Sequence, residues 1–489
     1  MEDRLSALPD DLLLQIVTLL PLIQLVRTCV LSRRWSRFWT RAQILHVIDK
    51  EVDAGGEPDR FALVVESILS AVYTSRLGRA RCDFQISISR VDNFDAQDLM
   101  SWARRAADLF EGDFKLSVET ETESEGGEPD PDEEPEIFEL PYFEFAKQIT
   151  LTLSDRFLHL ALPTGAGVFA SLTKLVLAKL HFADGAGAAL SDVVSSRCPC
   201  LLSLVVRHVY GVTALTLRTA SLTQLTLLCV YDLRLLDVVA LKLRTMTVEC
   251  CFVDSKGAEL RICAPLLLKF NWADCCPEST QVGPTDHLKL LVVGENPPVT
   301  WVHAGFTAHS NFDMILNHVR RTQVLELHLP IHPELQGHGK LMEHIVLPNQ
   351  YTELNLVVEP NGHMFGMSMF KLLKRCVGLR KLHLKLSKRK GDTTCLSCIF
   401  GNPQEWKHQE ILLNSLEHIL VSDFSDNSHE VDVINSILKC APSLQDIGIE
   451  VAHGVKVSKD TVLHFNEYHL VNFFRKGERP MEYYYSGTW

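Results

Sequence analysis

Cysteines and histidines are the residues of this chain whose types could hold a metal ion or carry redox chemistry. The fourteen cysteines include one C-x-x-C pair, Cys395 and Cys398, but no second pair or H-x-x-x-H stands close enough to complete a four-ligand zinc site. Four histidines cluster in residues 328–344, but Pro330 and Pro333 interrupt any helix that would align them. We therefore expect no metal and no cofactor, and we interpret the cysteines as buried free thiols.

Enzyme motifs built on glycine or on a nucleophile are incomplete or missing from the sequence. Gly185 and Gly187 open a G-x-G-x-x-L run, which departs from the dinucleotide-binding fingerprint. Gly337, Gly339 and Lys340 lack the spacing and the hydroxyl residue of a phosphate-binding loop. Neither H-E-x-x-H nor G-x-S-x-G occurs. We therefore expect a protein that is not an enzyme.

The distribution of charge argues against a strongly basic nucleic-acid binder. The 489 residues carry a formal net charge of −13, and residues 119–136 hold ten acids and no bases, so the rest of the chain sums to −3. We interpret this acidic segment as a disordered loop between two repeat strands, because charge runs are mostly solvated. A mimic of nucleic acid or a clamp for a basic partner is the alternative.

Nothing in the sequence indicates a membrane or secretory protein. No uncharged apolar stretch reaches the length that spans a bilayer. The first residues, MEDRLSALPDD, are acidic and lack the layout of a signal peptide. We expect a cytoplasmic or nuclear protein.

Three short helices are predicted in the first 45 residues. Pro9 begins the first, Pro21 separates it from the second, and Ser32 caps a third that carries Trp35 and Trp39. About forty residues are too few to bury so many large apolar side chains among themselves. This excess favours a surface for a partner, and helices that cap the downstream domain are the alternative.

The order of these residues resembles that of a known family. The run LSALPDDLLLQIVTLLPLIQLVRTCVLSRRWSRFW resembles the F-box, the helical motif that docks onto the Skp-type adaptor of cullin–RING ubiquitin ligases, from Leu5 to about Ile44. An apolar centre with a polar rim is what such an interface needs. The resemblance implies an adaptor-binding face made of Leu8, Pro9, Leu12, Ile16, Leu20, Val30, Leu31 and Trp35.

A second pattern repeats from about residue 115: apolar, two spacers, apolar, one spacer, apolar. Successive copies in the first half begin 29, 21, 21, 24 and 21 residues apart. This period is the signature of leucine-rich repeats, which stack into a solenoid because no single repeat buries its own leucines. Unrelated strands of an ordinary α/β domain are the alternative. The nine copies begin at Leu172, Leu201, Leu222, Leu243, Leu267, Leu288, Leu379, Leu416 and Leu444.

The same array is predicted to begin before the acidic segment. FALVVESILSAV and AQDLMSWARRAADLF indicate amphipathic helices, whereas DFQISIS and FKLSVE indicate strands. We therefore expect an α/β protein in which a three-helix F-box precedes a leucine-rich-repeat solenoid. Its parallel strands would line the concave face, with helices and loops outside.

The C-terminal part of the chain shows a further resemblance. Residues 415–451 (SLEHILVSDFSDNSHEVDVINSILKCAPSLQDIGIEV) predict strand, loop, helix, turn and strand, with Asp426 or Ser428 as the helix cap. This stretch resembles the FBD domain, so both ends of the chain together imply the plant F-box/LRR/FBD family. The expected division is F-box 1–45, first repeats and linker 46–118, acidic loop 119–136, repeats 137–400 and FBD-like domain 401–489.

What the resemblance implies is the substrate-recognition subunit of an SCF-type (cullin–RING) ubiquitin ligase. Its partners would be a Skp-type adaptor and a target protein held by the repeats, with no nucleic acid and no membrane. The alternatives are a leucine-rich-repeat scaffold without ligase assembly and, from another class, an arginine-rich third helix that contacts nucleic acid. Candidate target-binding residues are the strand positions Lys174, Arg207, Gln224, Thr245, Lys269, Lys381 and His383.

Overall fold

The computed structural model of the chain describes its residues in several stretches. They are residues 8–18, 44–52, 60–74, 79–89, 95–119, 135–154, 158–183, 185–252, 256–294, 315–316, 319, 322–330, 347–348, 351–360, 364–376, 378–387, 411–468 and 470–475. The chain divides into two compact units. Unit 1 is Met1–Arg244 with Cys251–Ala264, and unit 2 is Thr245–Cys250 with Pro265–Trp489.

Unit 1 is built mainly from short strands. Its helices are α1 (Asp10–Thr18), α2 (Asp49–Val52), α3 (Arg60–Thr74), α4 (Ala96–Leu109) and α5 (Ala186–Asp192). Its strands are β1 (Ile44–Ile48), β2 (Asp83–Ile88), β3 (Phe114–Val118), β4 (Glu136–Glu139), β5 (Gln148–Leu153), β6 (Leu158–Ala161), β7 (Lys174–Phe182), β8 (Ser203–Tyr210), β9 (Ala214–Thr219), β10 (Gln224–Val230), β11 (Leu235–Ala240) and β13 (Glu259–Cys263). Strand β12 (Thr245–Glu249), which precedes β13 in the sequence, belongs to unit 2.

The main sheet of unit 1 is parallel throughout, in the order β1–β2–β3–β5–β7–β8–β10. Strand β6 pairs with β4 on one side and with the end of β7 on the other. The predicted helices and strands of residues 60–118 are therefore confirmed as α3, α4, β2 and β3. They belong to the same ladder as the leucine-rich strands.

A second parallel sheet, β9–β11–β13, occupies the other side of three repeats. The repeat that begins at Leu172 is 29 residues long and has room for helix α5 between its strand and the next strand. This agrees with the expectation that helices lie outside the row of strands. The shorter repeats that begin at Leu201, Leu222 and Leu243 carry a strand there instead. Their segments alternate buried and exposed residues with period two, which suits a strand with one buried face.

Unit 2 contains a single long parallel ladder in the order β12–β14–β16–β17–β18–β19–β20–β21–β22. Its helices are α6 (Gly366–Leu373), α7 (Ser428–Cys440) and α8 (Lys459–Asn466). Its remaining strands are β14 (Lys269–Ala273), β15 (Ser279–Val282), β16 (Leu290–Gly294), β17 (Val324–Pro330), β18 (Glu353–Glu359), β19 (Lys381–Leu386), β20 (His418–Phe424), β21 (Asp446–Val451) and β22 (Val471–Arg475).

The leucine-rich pattern is confirmed, because all nine predicted copies lie on strands of these ladders. The register places the last two apolar residues of each copy beside those of its neighbours, so that they form two buried rows. In unit 2 one row is Met246, Phe270, Leu291, Leu325, Leu354, Leu382, Ile419 and Ile447. Burial of this row against the next repeat is what a solenoid unit requires for stability.

The C-terminal prediction of strand, helix and strand is confirmed by β20, α7 and β21. The cap of α7 is Asn427, which stands between the two predicted residues and accepts a hydrogen bond from the Glu430 backbone N–H at 2.8 Å. The predicted cap Asp426 instead takes a left-handed conformation (φ 59°), and its carboxylate accepts from the Ser458 N–H at 2.6 Å. Asp426 therefore serves the start of α8.

Two of the predicted segments fall wholly or partly outside the described residues. The first is the second and third N-terminal helices, between Pro21 and Arg41. The second is the acidic segment, of which residues 120–134 are not described. Its last residue, Glu136, begins β4, and its carboxylate accepts from the Ala96 N–H at the start of α4 (3.0 Å).

Candidate functional site

Helix α1 presents two large apolar side chains to solvent. The Pro9 carbonyl accepts hydrogen bonds from the N–H groups of Leu12 and Leu13, both at 3.1 Å, and so begins the helix. Leu13 is fully buried, whereas Leu12 and Ile16 are 45% and 36% exposed. These two residues are one helical turn apart and therefore adjacent. Of the side chains described on this helix, Leu13 is therefore packed inside the protein, while Leu12 and Ile16 stand in solvent.

Half of the predicted adaptor-binding residues can be placed on this helix or just before it. Pro9 is exposed and Leu8 is half-buried, directly before the exposed pair Leu12 and Ile16. The other half lies outside the described residues: Leu20, Val30, Leu31 and Trp35. The eight-residue face as a whole stays a prediction.

The candidate target-binding residues of unit 1 lie on the solvent-facing side of its main sheet. Lys174 and Gln224 occupy the first position of β7 and β10, in one row with Ser203 of β8, and both are exposed. Arg207 lies further along β8, is also exposed, and pairs in register with Ala178 and Leu228. The sheet therefore brings all three to one surface, though not into contact with one another.

The solvent-facing side of β3, β5, β7, β8 and β10 is basic. Alternate residues of these strands point away from the buried rows, and three of them carry an amine or a guanidinium: Lys115, Lys174 and Arg207. The exposed Lys179 of β7 adds a fourth positive charge. Glu119, which follows β3, lies 3.7 Å from Lys179, and Asp232, which follows β10, is a second carboxylate beside this face. In a chain of net charge −13 this local excess of positive charge is a distinct feature.

The candidates of unit 2 are also in register. Thr245 and Lys269 are paired neighbours at the start of β12 and β14, and Lys381 occupies the same row on β19, beside Glu353. His383, two residues along β19, hydrogen-bonds the Ser422 hydroxyl of β20 at 2.9 Å. A side-chain hydrogen bond thus ties His383 to the neighbouring strand.

Carboxylates dominate the solvent-facing side of unit 2. Glu249 accepts from the Asn271 amide at 2.8 Å, and Glu326 accepts from the Asn355 amide at 3.3 Å and bonds the His328 imidazole at 2.8 Å. Burial opposes ionisation of Glu326, but its bond with His328, the charge of that ring and the Asn355 amide outweigh burial and lower the pKa of Glu326 below its ordinary 4.5. The two units therefore offer faces of different charge.

The lowered pKa of Glu326 predicts a contribution to acid stability. A carboxyl whose folded pKa lies below its unfolded pKa stabilises the fold above about pH 4.5 and loses that contribution as pH falls through the folded value. We expect Glu326→Gln to shrink the drop in melting temperature between pH 7 and pH 3, measured by circular dichroism. An equal drop in both proteins would contradict this role, and Glu467→Gln, at an exposed position of unit 2, serves as the control.

The cysteines in the described residues are free thiols, and the buried ones are poor nucleophiles. Burial raises the pKa of Cys82 and of Cys198 to about 12 and that of Cys276 to about 11, so their thiolates are scarce near neutral pH. Cys395 and Cys398 lie outside the described residues, as do the predicted loop histidines other than His328. Within the described stretches, no group of three or more His, Cys, Asp or Glu side chains is placed to hold a metal ion.

Helices of the described stretches are all too short or too polar to cross a bilayer.

Comparison with known proteins relates this chain to a group of plant proteins. Residues 5–46 match the F-box domain. An F-box protein of Arabidopsis thaliana is 26% identical over 208 residues, which is 42% of this chain and 44% of that protein. Two F-box/FBD/LRR-repeat proteins of the same plant are 33% identical over 106 residues (22% of each chain) and 29% identical over 232 residues (45% and 49%). The matched regions span less than half the length of these relatives.

Proposed function

We propose that this chain, which carries an F-box domain at residues 5–46 and resembles Arabidopsis F-box/FBD/LRR-repeat proteins, is the substrate-recognition subunit of an SCF-type (cullin–RING) ubiquitin ligase. F-box proteins are in general substrate receptors of such ligases, and an F-box in general binds a Skp-type adaptor. The observation that carries the proposal is the F-box match over α1, whose Leu12 and Ile16 side chains stand in solvent.

The proposed division of labour follows the order of the chain. Residues 1–45 would bind the adaptor through Leu8, Pro9, Leu12, Ile16, Leu20, Val30, Leu31 and Trp35. Residues 46–118 and 137–400 would present a target on the solvent-facing side of the repeat strands, on either side of the acidic segment 119–136. Residues 401–489 would form the FBD-like end of the array.

The proposed mechanism is proximity, not catalysis by this chain. One end holds the adaptor and the repeats hold a target, so that the target's lysines stay within reach of a ubiquitin-conjugating enzyme. Holding two reactants together turns a bimolecular encounter into an effectively intramolecular one. The receptor itself then needs neither nucleophile nor acid nor base.

The competing candidate is a repeat scaffold whose N-terminal helices only cap the array. Its support is Leu13, which is fully buried and so fixes α1 to the protein. The two candidates make different predictions about adaptor binding. A cap binds no adaptor, whereas truncation of the central residues of an adaptor-binding face must weaken binding of the adaptor.

Trp35→Ala separates the two candidates. As an adaptor anchor, this substitution should abolish co-purification with a Skp-type adaptor and leave the unfolding transition of the chain where it was. As a buried cap residue, it should lower the free energy of unfolding by about 3–5 kcal/mol. Adaptor binding is measured by co-expression with the adaptor, and the free energy of unfolding by urea denaturation. Both measurements are made on the unmodified chain and on Trp35→Ala. An unchanged complex with an unchanged fold would contradict an anchoring role.

A further inference from the structure

Three neighbouring strands of unit 1 share an unusual backbone feature at the same level of the sheet. Lys179 of β7, His208 of β8 and Cys229 of β10 adopt left-handed conformations, with φ of 49°, 53° and 53°. The pairing register passes over all three and continues with Leu180, Val209 and Val230, which are buried. Each strand therefore carries one residue that the pairing skips. This residue interrupts the alternation as a β-bulge does but leaves the register between the strands unchanged, and these bulges lie side by side.

Beyond the bulges, four rings stack across the strands on the solvent-facing side. His181, Tyr210 and Tyr231 occupy equivalent positions two residues after the bulge, and His159 joins from β6 through its pairing with His181. Successive centroids are 5.5, 4.7 and 4.4 Å apart, with interplanar angles of 11°, 10° and 23°. We call this set the ring ladder. It is about 15 Å long, the span of about five extended residues.

The ring ladder is held in place before any partner arrives. The His208 imidazole bonds the Tyr231 hydroxyl at 3.2 Å, and Asp232 at the rim accepts from the Gly211 N–H at 2.9 Å. Burial and the neighbouring His159 lower the pKa of His181, so this ring is neutral near pH 7 and does not repel its neighbour. A rigid array of this kind loses little conformational entropy when it binds.

Exposure and charge together indicate what the ring ladder can bind. Tyr210 is 42% exposed although rings cover both of its faces, so its edge and hydroxyl are what solvent meets. Arg207 is exposed three residues before it, and Lys179 lies at the bulge of the adjoining strand. A nucleic acid would need open ring faces on which bases stack. Peptide carboxylates and backbone amides need only ring edges, hydroxyls and a guanidinium, and Tyr and Arg are the residues that dominate protein interfaces.

We propose that the ring ladder, with Arg207 and Lys179, is the docking surface for an acidic, extended segment of a target protein. The site rests on the proposed function in that it names the kind of target the repeats would hold. Arg207 bonds a carboxylate of the segment, and the edges of Tyr210 and Tyr231 pack against its backbone. The imidazoles of His159 and His181 supply the far end of the surface.

The test uses the full chain in complex with its adaptor and a fluorescein-labelled peptide of alternating Glu and Ala. Fluorescence anisotropy should show binding of this peptide and no binding of a Lys–Ala peptide of the same length. Arg207→Glu and Tyr210→Ala should each weaken binding by about tenfold or more, the effect of removing an interface hot spot. Matched controls in unit 1 are Lys242→Glu and Leu241→Ala, which are exposed on the turn after β11 and should leave binding unchanged.

Further outcomes of the same experiment support or overturn the proposal. Equal binding by Arg207→Glu and by the unmodified chain would overturn the proposal, as would tighter binding of an oligothymidylate than of the acidic peptide. If the peptide binds only after residues 120–134 are deleted, the surface accepts acidic segments and the chain's own acidic segment competes for it, which supports the proposal. If no acidic peptide binds either protein, the proposal fails. Loss of the adaptor complex in the unmodified chain would count against the proposed function instead, because none of these variants touches the F-box.

Discussion

Replacing Leu12 and Ile16 together by aspartate is expected to abolish binding to a Skp-type adaptor without shifting the unfolding of the chain. Both side chains already stand in solvent, at 45% and 36% exposure, so carboxylates at these positions cost the isolated fold little. In a complex the same positions would be buried, and each lost aliphatic side chain is worth about 1.5–3 kcal/mol. Their sum alone corresponds to a loss of affinity of more than about a hundredfold.

Two controls make this result specific to the exposed side of α1. Leu63→Asp with Tyr73→Asp places the same charges on α3, where both side chains are exposed, and should leave adaptor binding intact. Leu13→Ala empties a fully buried site and should lower the free energy of unfolding by about 2–5 kcal/mol. Co-purification and urea denaturation of the variants give both readouts. Retained binding in the Leu12 and Ile16 double variant would remove α1 from the adaptor-binding face.

The strands of this protein could be predicted because their leucines carry the fold. Each repeat must bury its apolar residues against the next repeat. The positions of Leu, Ile and Val in the sequence therefore show where each repeat strand lies. Two of the copies that sequence reasoning missed, on β17 and β18, have Thr322 and Tyr351 where a leucine is usual. The structure buries both residues all the same, which shows that position and not residue type defines the repeat.

The ring ladder could not be predicted in the same way. His181, Tyr210 and Tyr231 are unremarkable surface residues until the three bulges set them in register, and the bulges occur at Lys, His and Cys rather than at glycine. The pairing of β6 with β7, which adds His159, also joins strands that no repeat pattern marks. A search of the sequence for aromatic or histidine residues at a constant distance after each repeat would have found the set, since His181, Tyr210 and Tyr231 are 29 and 21 residues apart.

The contacts between α3 and α4 could not be predicted from the spacing of apolar residues either. The predicted amphipathic helices are present, but their closest tie is polar: Glu66 accepts from the Trp102 indole N–H at 3.1 Å and pairs with the Arg105 guanidinium. Arg105 also donates to the Ser70 hydroxyl at 3.1 Å. Trp102 itself is fully buried and packs edge-on against Phe61, with ring centroids 5.9 Å apart.

Trp102→Ala is therefore expected to lower the free energy of unfolding by about 3–5 kcal/mol. The substitution removes the largest side chain between the two helices and deprives Glu66 of one of its donors. Urea denaturation followed by circular dichroism measures the loss.

Trp102→Phe divides this loss into its two parts. Phenylalanine keeps most of the ring contact with Phe61 but cannot donate to Glu66, so the remaining loss reports the hydrogen bond and the partly filled site, about 1–3 kcal/mol. A loss equal to that of Trp102→Ala would mean that the indole N–H, not the packing, joins α3 to α4. Leu63→Ala, at an exposed position of α3, should cost less than about 0.5 kcal/mol and sets the baseline for the helix pair.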